Sequence, residues 1–267
     1  MSNQKQYSAI TGGGTISIAN SNLDGSGTMT ELLTATLKGS IIKTIFVKAL
    51  SNVSQGMIRF FIKRGEINFL IYEFPVNITT RSSRDLSFSG VLPFYYELQS
   101  GDILYASTEK AESFSILVEG LSWDYGTTTE DPLTSYTANT GVNIIQTANP
   151  NLDGTGTTVL IYSASSASGM MGSEITSIII KATEKISPGI VRLFVDNGKQ
   201  KLLFCEVLIP YSTPNAFNES FTHTVLAQGS LALKAGYSIY ASTENSEKFN
   251  VLIEGGYFTQ VDPLVSR

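Results

Sequence analysis

The chain has 267 residues, a formal net charge of −5, only 15% charged residues, one cysteine and one histidine. That length accommodates two domains that each bury a core; a single cysteine excludes an internal disulfide and a multi-cysteine metal site, and the lack of any basic run argues against direct nucleic-acid binding. The opening Met1–Tyr7 has no apolar signal-peptide core and no stretch approaches the ~20 apolar residues of a membrane span, so the expectation is a protein made in the cytoplasm, with no membrane partner, that stays soluble until it assembles.

Taken in order, the chain repeats itself. Tyr7, Ala9, Thr11 and Gly12 are answered by Tyr136, Ala138, Thr140 and Gly141; Leu23-Asp24-Gly25-Ser26-Gly27-Thr28 by Leu152-Asp153-Gly154-Thr155-Gly156-Thr157; and Tyr105-Ala106-Ser107-Thr108-Glu109 by Tyr240-Ala241-Ser242-Thr243-Glu244. Asp131-Pro132-Leu133 recurs as Asp262-Pro263-Leu264. The offset is 129 residues at Leu23/Leu152, 133 at Arg59/Arg192 and 135 at Tyr105/Tyr240, which indicates small insertions in the second copy and not a short solenoid period. The expected organisation is two homologous domains, residues 1–133 and 134–267, with the polar, proline-containing stretch Gly126–Pro132 between them.

In the first copy, short runs rich in Ile, Val, Phe, Tyr and Thr predict strands at Ile16–Ala19, Thr30–Leu37, Ile42–Ala49, Met57–Lys63, Phe69–Val76, Leu86–Leu92, Ile103–Ser107 and Phe114–Trp123. The second copy gives Asn143–Ala148, Thr157–Ser163, Ile175–Ala182, Ile190–Asp196, Lys201–Pro210, Glu219–Leu226, Ser238–Ser242 and Phe249–Phe258. About eight strands per copy, with no helical period, predict an all-β chain of two tandem antiparallel β-sandwich, jelly-roll-like domains. Lys63-Arg64-Gly65-Glu66 and Val195-Asp196-Asn197-Gly198-Lys199 read as hairpin turns. Across these hairpins Arg59 faces Glu73 and Arg192 faces Glu206, an expected cross-strand pair in each copy on the face opposite Ile58, Phe60 and Ile62.

Candidate chemistry is sparse. Asn20, Asn22, Asp24, Gly25 and Glu31 have the spacing of a calcium loop, but the second copy keeps Asn149, Asn151, Asp153 and Gly154 and places Leu160 at the last ligand position, so an Asx-stabilised turn accounts for what is retained. The only histidine, His223, aligns with Gly90, which leaves no nucleophile–histidine arrangement, and Cys205 reads as a buried small apolar residue. Glu73/Glu206, Glu109/Glu244 and Glu119/Glu254 would serve as an acid pair only if two of them converged. The expectation is therefore no enzyme, no cofactor and no metal.

Two features suggest contacts with other molecules. Thr108, Glu109, Thr243 and Glu244 close the most strictly repeated string, and Phe94, Tyr95 and Tyr96 lie beside Pro93 where the second copy has Leu226-Ala227-Gln228-Gly229-Ser230. Three consecutive aromatics cannot all point inward from one strand, so at least one is exposed or covered by a partner; a protein interface is favoured over a sugar platform.

The strings Asn22–Thr28, Asn151–Thr157, Ser100–Glu109 and Ala235–Glu244, in an all-β tandem chain of low charge, resemble bacteriophage virion structural proteins built from jelly-roll or β-sandwich modules. The resemblance implies a capsid-associated (decoration) or tail-associated protein of the virion that carries no catalytic residues. The alternatives are a carbohydrate- or receptor-binding module of a fibre or spike, and a double jelly-roll capsid protein. Partners would be other virion proteins and further copies of the chain, with a trimer favoured because three two-domain subunits form a pseudo-sixfold ring.

Overall fold

The computed structural model describes residues 6–37, 39–82, 85–124, 133–167, 170–214, 220–225 and 230–261. Eight strands form a first half: β1 (Gln6–Ile16), β2 (Thr30–Thr34), β3 (Ser40–Ala49), β4 (Gly56–Arg64), β5 (Ile67–Val76), β6 (Ser89–Leu98), β7 (Ile103–Thr108) and β8 (Phe114–Asp124). The second half comprises β9 (Leu133–Ile145), β10 (Val159–Ser163), β11 (Met170–Ala182), β12 (Gly189–Asp196), β13 (Lys201–Ile209), β14 (Thr222–Val225), β15 (Leu231–Leu233), β16 (Ser238–Thr243) and β17 (Phe249–Val261).

The strands pair antiparallel into four sheets, ordered β1-β8-β3-β6 and β2-β7-β4-β5 in the first half, then β14-β11-β17-β9, with β15 also on β11, and β10-β16-β12-β13 in the second. Each half draws both of its sheets from its own strands, and the sheet orders correspond strand for strand. The architecture is that of a jelly-roll-like β-sandwich. Within the first half Ile45, Val47, Ile58, Phe60, Leu104, Phe114 and Ile116 are buried between the sheets. Ile178, Ile180, Leu193, Leu202, Ile239, Phe249 and Val251 fill the second. Leu117 of β8 belongs to this second core although it lies in the first half.

Several strand expectations need correction. The first strand of each half lies earlier than Ile16–Ala19 and Asn143–Ala148, at Gln6–Ile16 and Leu133–Ile145. Glycine hid it: a Cβ on Gly12 would come within 2.3 Å of the Leu32 carbonyl oxygen, and one on Gly141 within 2.2 Å of that of Ile161, so a close crossing of backbones demands residues that weaken a strand signal. β6 reaches Leu98 instead of ending at Leu92; Pro93 is tolerated because β6 is an edge strand, and the bulge opposite Ile42 and Thr44 sets Tyr95 at φ 42°, the left-handed region that non-glycine residues seldom adopt. Of the expected strand Glu219–Leu226 the structure shows β14, its ends Glu219 and Leu226 lying outside the described residues, and β15 is a further short strand. The Gly126–Pro132 stretch, Asp131-Pro132, Asp262-Pro263-Leu264 and Leu226–Gly229 lie outside the described residues.

Candidate interaction surfaces

The sheet β1-β8-β3-β6 is covered on both faces. Alternation sends Ile45, Val47, Ile116 and Val118 into the first core and turns Thr11, Phe46, Lys48, Leu117 and Glu119 the other way, onto the second half. There Phe46 packs edge-on against Phe204 with ring centres 5.2 Å apart. Thr11 Oγ1 donates to the Ala232 carbonyl and accepts from the Lys234 amide, both at 3.0 Å, and Glu119 accepts from the Ala232 amide at 3.0 Å. The first half thus closes the open side of the second sandwich, between the edge strands β13 and β15.

Charges are buried at this junction. Glu206 Oε2 lies 3.3 Å from Lys48 Nζ and accepts from the Ser87 amide at 3.2 Å and from the Ser87 hydroxyl. Arg192, fully buried, sits with Nε 3.4 Å from Glu206 Oε1 and Nη2 3.5 Å from Glu244 Oε1, while Nη1 donates to the Asn149 carbonyl at 3.3 Å. Arg81 approaches the same Glu244 oxygen at 3.6 Å from the other half. Burial alone would raise the Glu206 carboxyl, but Lys48, Ser87 and Arg192 outweigh it and hold it below the usual carboxylate range. Burial also draws the Arg192 guanidinium down, opposed by Glu206 and Glu244. At Glu119 burial prevails over the Ala232 amide and Lys43, and the carboxyl is raised.

In the first half Arg59 Nε donates to Glu73 Oε1 at 2.9 Å, and Nη1 reaches the Asn20 carbonyl at 3.5 Å. The setting differs from that of Arg192: the Glu73 side chain is 42% exposed, whereas that of Glu206 is fully covered. The face opposite Ile58, Phe60 and Ile62 is not a solvent face at Arg59, which is buried along with Phe61. Each arginine holds the carbonyl that opens an Asx loop. Asn20 Oδ1 accepts from the Asn22 amide and its Nδ2 donates to the Ser26 and Thr28 carbonyls; Asn149 repeats all three bonds with Asn151, Thr155 and Thr157. Asp24 accepts from the Ser26 hydroxyl at 2.6 Å and from its amide, which lower its pKa, and Asp153 does the same with Thr155. Glu31, the last ligand position of a calcium loop, instead accepts from Thr34. The ligand-like side chains are thus engaged in building turns, and among the described residues no group of three or more His, Cys, Asp or Glu side chains could hold a metal.

The remaining candidates fall in different places. Thr108 and Thr243 are both 2% exposed and face the interior, so their hydroxyls are not available to another molecule. Glu109 is half-buried at the start of a turn, and Glu244 is the carboxylate that meets Arg192 and Arg81. Phe94 packs inward against Phe60 and Tyr72, Tyr96 lies 6.0 Å from Phe94, and Tyr95 is 72% exposed. Ring contacts thus join Tyr72 of β5 through Phe94 to Tyr96 of β6, and Phe69 and Tyr95 are further exposed aromatics on the same two strands. Exposed His223 stacks on Phe221, and Cys205 is half-buried with its thiol pushed up to about 11 by burial, which keeps it protonated and unreactive at neutral pH. A polar cleft of about 460 Å³ between the halves is lined by Glu31, Asn197, Lys199, Gln200, Lys234 and Tyr237 among others.

No family model and no curated protein matches the chain. Among solved structures it is faintly similar to a tandem CBM22 pair from Paenibacillus barcinonensis Xyn10C, at 11% identity and TM-score 0.25 over 96% of this chain and 93% of that one. It is similar to the major capsid protein P2 of bacteriophage PM2 at 12% identity and TM-score 0.24, over 97% and 99% of the two chains. A peptide-N(4)-(N-acetyl-β-D-glucosaminyl) asparagine amidase gives 11% identity and TM-score 0.27, over 96% and 97%. The three proteins have unrelated roles, and each likeness is one of faint overall shape.

Lys48, Ser87, Arg81, Phe46 and Leu117 escaped the sequence reading. One signal was present: in Ser40–Ala49 and Phe114–Asp124 apolar residues occupy both parities, the mark of strands buried on two faces.

Proposed function

We propose that the chain is two copies of one jelly-roll-like sandwich, residues 1–133 and 134–267, and serves as a non-catalytic structural protein of a virus particle. It assembles through protein–protein contacts with other virion proteins and with further copies of itself, most simply as a trimer. A capsid-associated (decoration) or tail-associated position in a bacteriophage virion is the finer form of this reading. The observation that carries it is the set of exposed aromatics Phe69, Tyr72, Tyr95 and Tyr96 on β5 and β6, the edge strands of the two sheets of the first half. Such a set suits a broad contact with another protein. Of the carboxylates considered as an acid pair, Glu206, Glu244 and Glu119 are held at the junction and Glu73 pairs with Arg59.

A second reading, a carbohydrate- or receptor-binding module, is favoured by one observation, the cleft in which Tyr237 is accompanied by Asn197, Lys199 and Glu31. The two readings separate in one pair of experiments. Tyr95→Ser with Tyr96→Ser is expected to weaken association with particle proteins or with other copies, while Tyr237→Ala leaves it intact. Unchanged assembly of the tyrosine double variant, with glycan binding that Tyr237→Ala abolishes, would replace the structural reading by the second.

A further inference from the structure

The junction within the chain is written twice in the sequence and used once in the fold. Strand equivalence pairs Thr11 with Thr140, Lys48 with Lys181, Ser87 with Ser220, Leu117 with Leu252 and Glu119 with Glu254 on the face that docks, and Glu206 with Glu73 on the edge that receives. These five docking side chains are thus kept in the second half, whereas Phe46 and Arg81 are answered by Ile179 and Pro214. In the first half Thr11, Lys48, Leu117 and Glu119 are buried by the junction; in the second, Thr140 and Glu254 are exposed, and Lys181 and Leu252 are only half-buried. Val142 and Ile144 on the same face are 67% and 43% exposed. The receiving edge behaves in the opposite sense: covered in the second half at Glu206, open in the first at Glu73, Tyr72 and Phe69.

We propose that the outer face of the β14-β11-β17-β9 sheet of one chain docks on the β5–β6 edge of a second copy, repeating between chains the contact that joins the halves within one. The proposal rests on the homo-oligomer reading above and names its interface. Lys181 and Ser220 meet Glu73 as Lys48 and Ser87 meet Glu206, so a cation and a hydroxyl-bearing residue approach a carboxylate that is now open to solvent. Val142, Ile144 and Leu252 cover the exposed aromatics. The contact is heterologous, with different surfaces on the two partners, so successive chains join head to tail and close into a ring if the rotation permits. Four positions make it a weaker copy: Phe46 and Phe204 are answered by Ile179 and Ile71, which have less surface to bury; Arg81 by Pro214, which removes a cation; and Ala232 by Glu97, which brings a like charge beside Glu254. The contact between chains is expected to open before the junction within a chain.

The test uses the full chain, with mass measured by sedimentation equilibrium and native mass spectrometry. Wild type is expected to form an oligomer, and Val142→Arg and Lys181→Glu each to weaken association at least tenfold with an unchanged melting curve. Val142 is exposed, so its arginine variant reads the interface even if Lys181→Glu disturbs the fold. In a Cys205→Ser background, Thr140→Cys with Glu97→Cys is expected to form interchain disulfides on oxidation, because Thr140 and Glu97 answer the Thr11–Ala232 contact. A wild-type monomer would overturn the homo-oligomer reading together with this interface. A wild-type oligomer untouched by both substitutions and without the cross-link would overturn the interface alone.

Discussion

Glu206→Gln isolates what the buried charges at the junction do, and Glu73→Gln supplies the matched control in the other half. In wild type the Glu206 carboxylate faces two cations, Lys48 at 3.3 Å and Arg192 at 3.4 Å, with side chains 7% and 0% exposed. The amide keeps the shape and can still accept from Ser87, but it leaves both cations with one negative charge fewer in a site that water does not reach. Breaking a buried pair in this way costs about 3–5 kcal/mol, a shift of the melting temperature by roughly 6–20 °C in a structure of this size. Glu73 is 42% exposed, and after screening by solvent its pair with Arg59 is worth about 0–1 kcal/mol. Calorimetry and chemical denaturation at neutral pH should therefore separate the two variants by at least ~2 kcal/mol. The wild-type difference should also fade in acid: Glu206 is held below its ordinary value of 4.5 when folded, so its contribution is present above that value and is lost as pH falls through the folded pKa. Equal destabilisation by the two substitutions would refute the account of the junction as a charge-locked surface.

Glu119 should show the reverse sign. Burial raises its folded pKa, so ionisation penalises the fold as pH rises above the ordinary value of 4.5, and Glu119→Gln, whose amide oxygen still accepts from Ala232, is expected to be neutral near pH 4 and neutral to stabilising at pH 7; marked destabilisation at pH 7 would oppose this. Leu117→Ala removes a fully buried side chain that the first half inserts into the second core, and should cost about 2–5 kcal/mol with increased proteolytic cleavage at the junction. Asn20→Ala and Asn149→Ala each remove three loop hydrogen bonds and should cost a similar ~1–3 kcal/mol, with no change in wild-type melting on adding calcium or a chelator.

The β-sandwich class was legible because strand residues and turn residues alternate throughout, and the cross-strand facing of Arg59 with Glu73 and Arg192 with Glu206 followed from hairpin centring alone. What escaped detection has physical reasons. The first strand of each half runs through glycines that a crossing backbone requires, so its composition imitates a loop. The strand expected to end at Leu92 continues past Pro93, because an edge strand can leave the missing N–H without a partner. The junction was invisible because its members look ordinary singly: Lys48 reads as a surface lysine until both faces of its sheet are known to be covered. Thr108 and Thr243 were misread in the other direction, since strict repetition there reflects a buried packing position and not a contact with a neighbour.

Repetition therefore has two physical sources in this chain, and burial tells them apart. A repeated residue buried in both halves, such as Thr108/Thr243 or Arg59/Arg192, is accounted for by the requirements of one sandwich. A repeated residue buried in one half and open in the other, as with Glu119/Glu254, Thr11/Thr140 and Glu206/Glu73, is not, because a sandwich that needed it buried would bury it both times. Those residues serve a contact between sandwiches. A chain of two has one such contact internally and is left with one docking face and one receiving edge on different halves; under the interface proposed above, another copy of the chain would satisfy both at once by the chemistry already present at the junction.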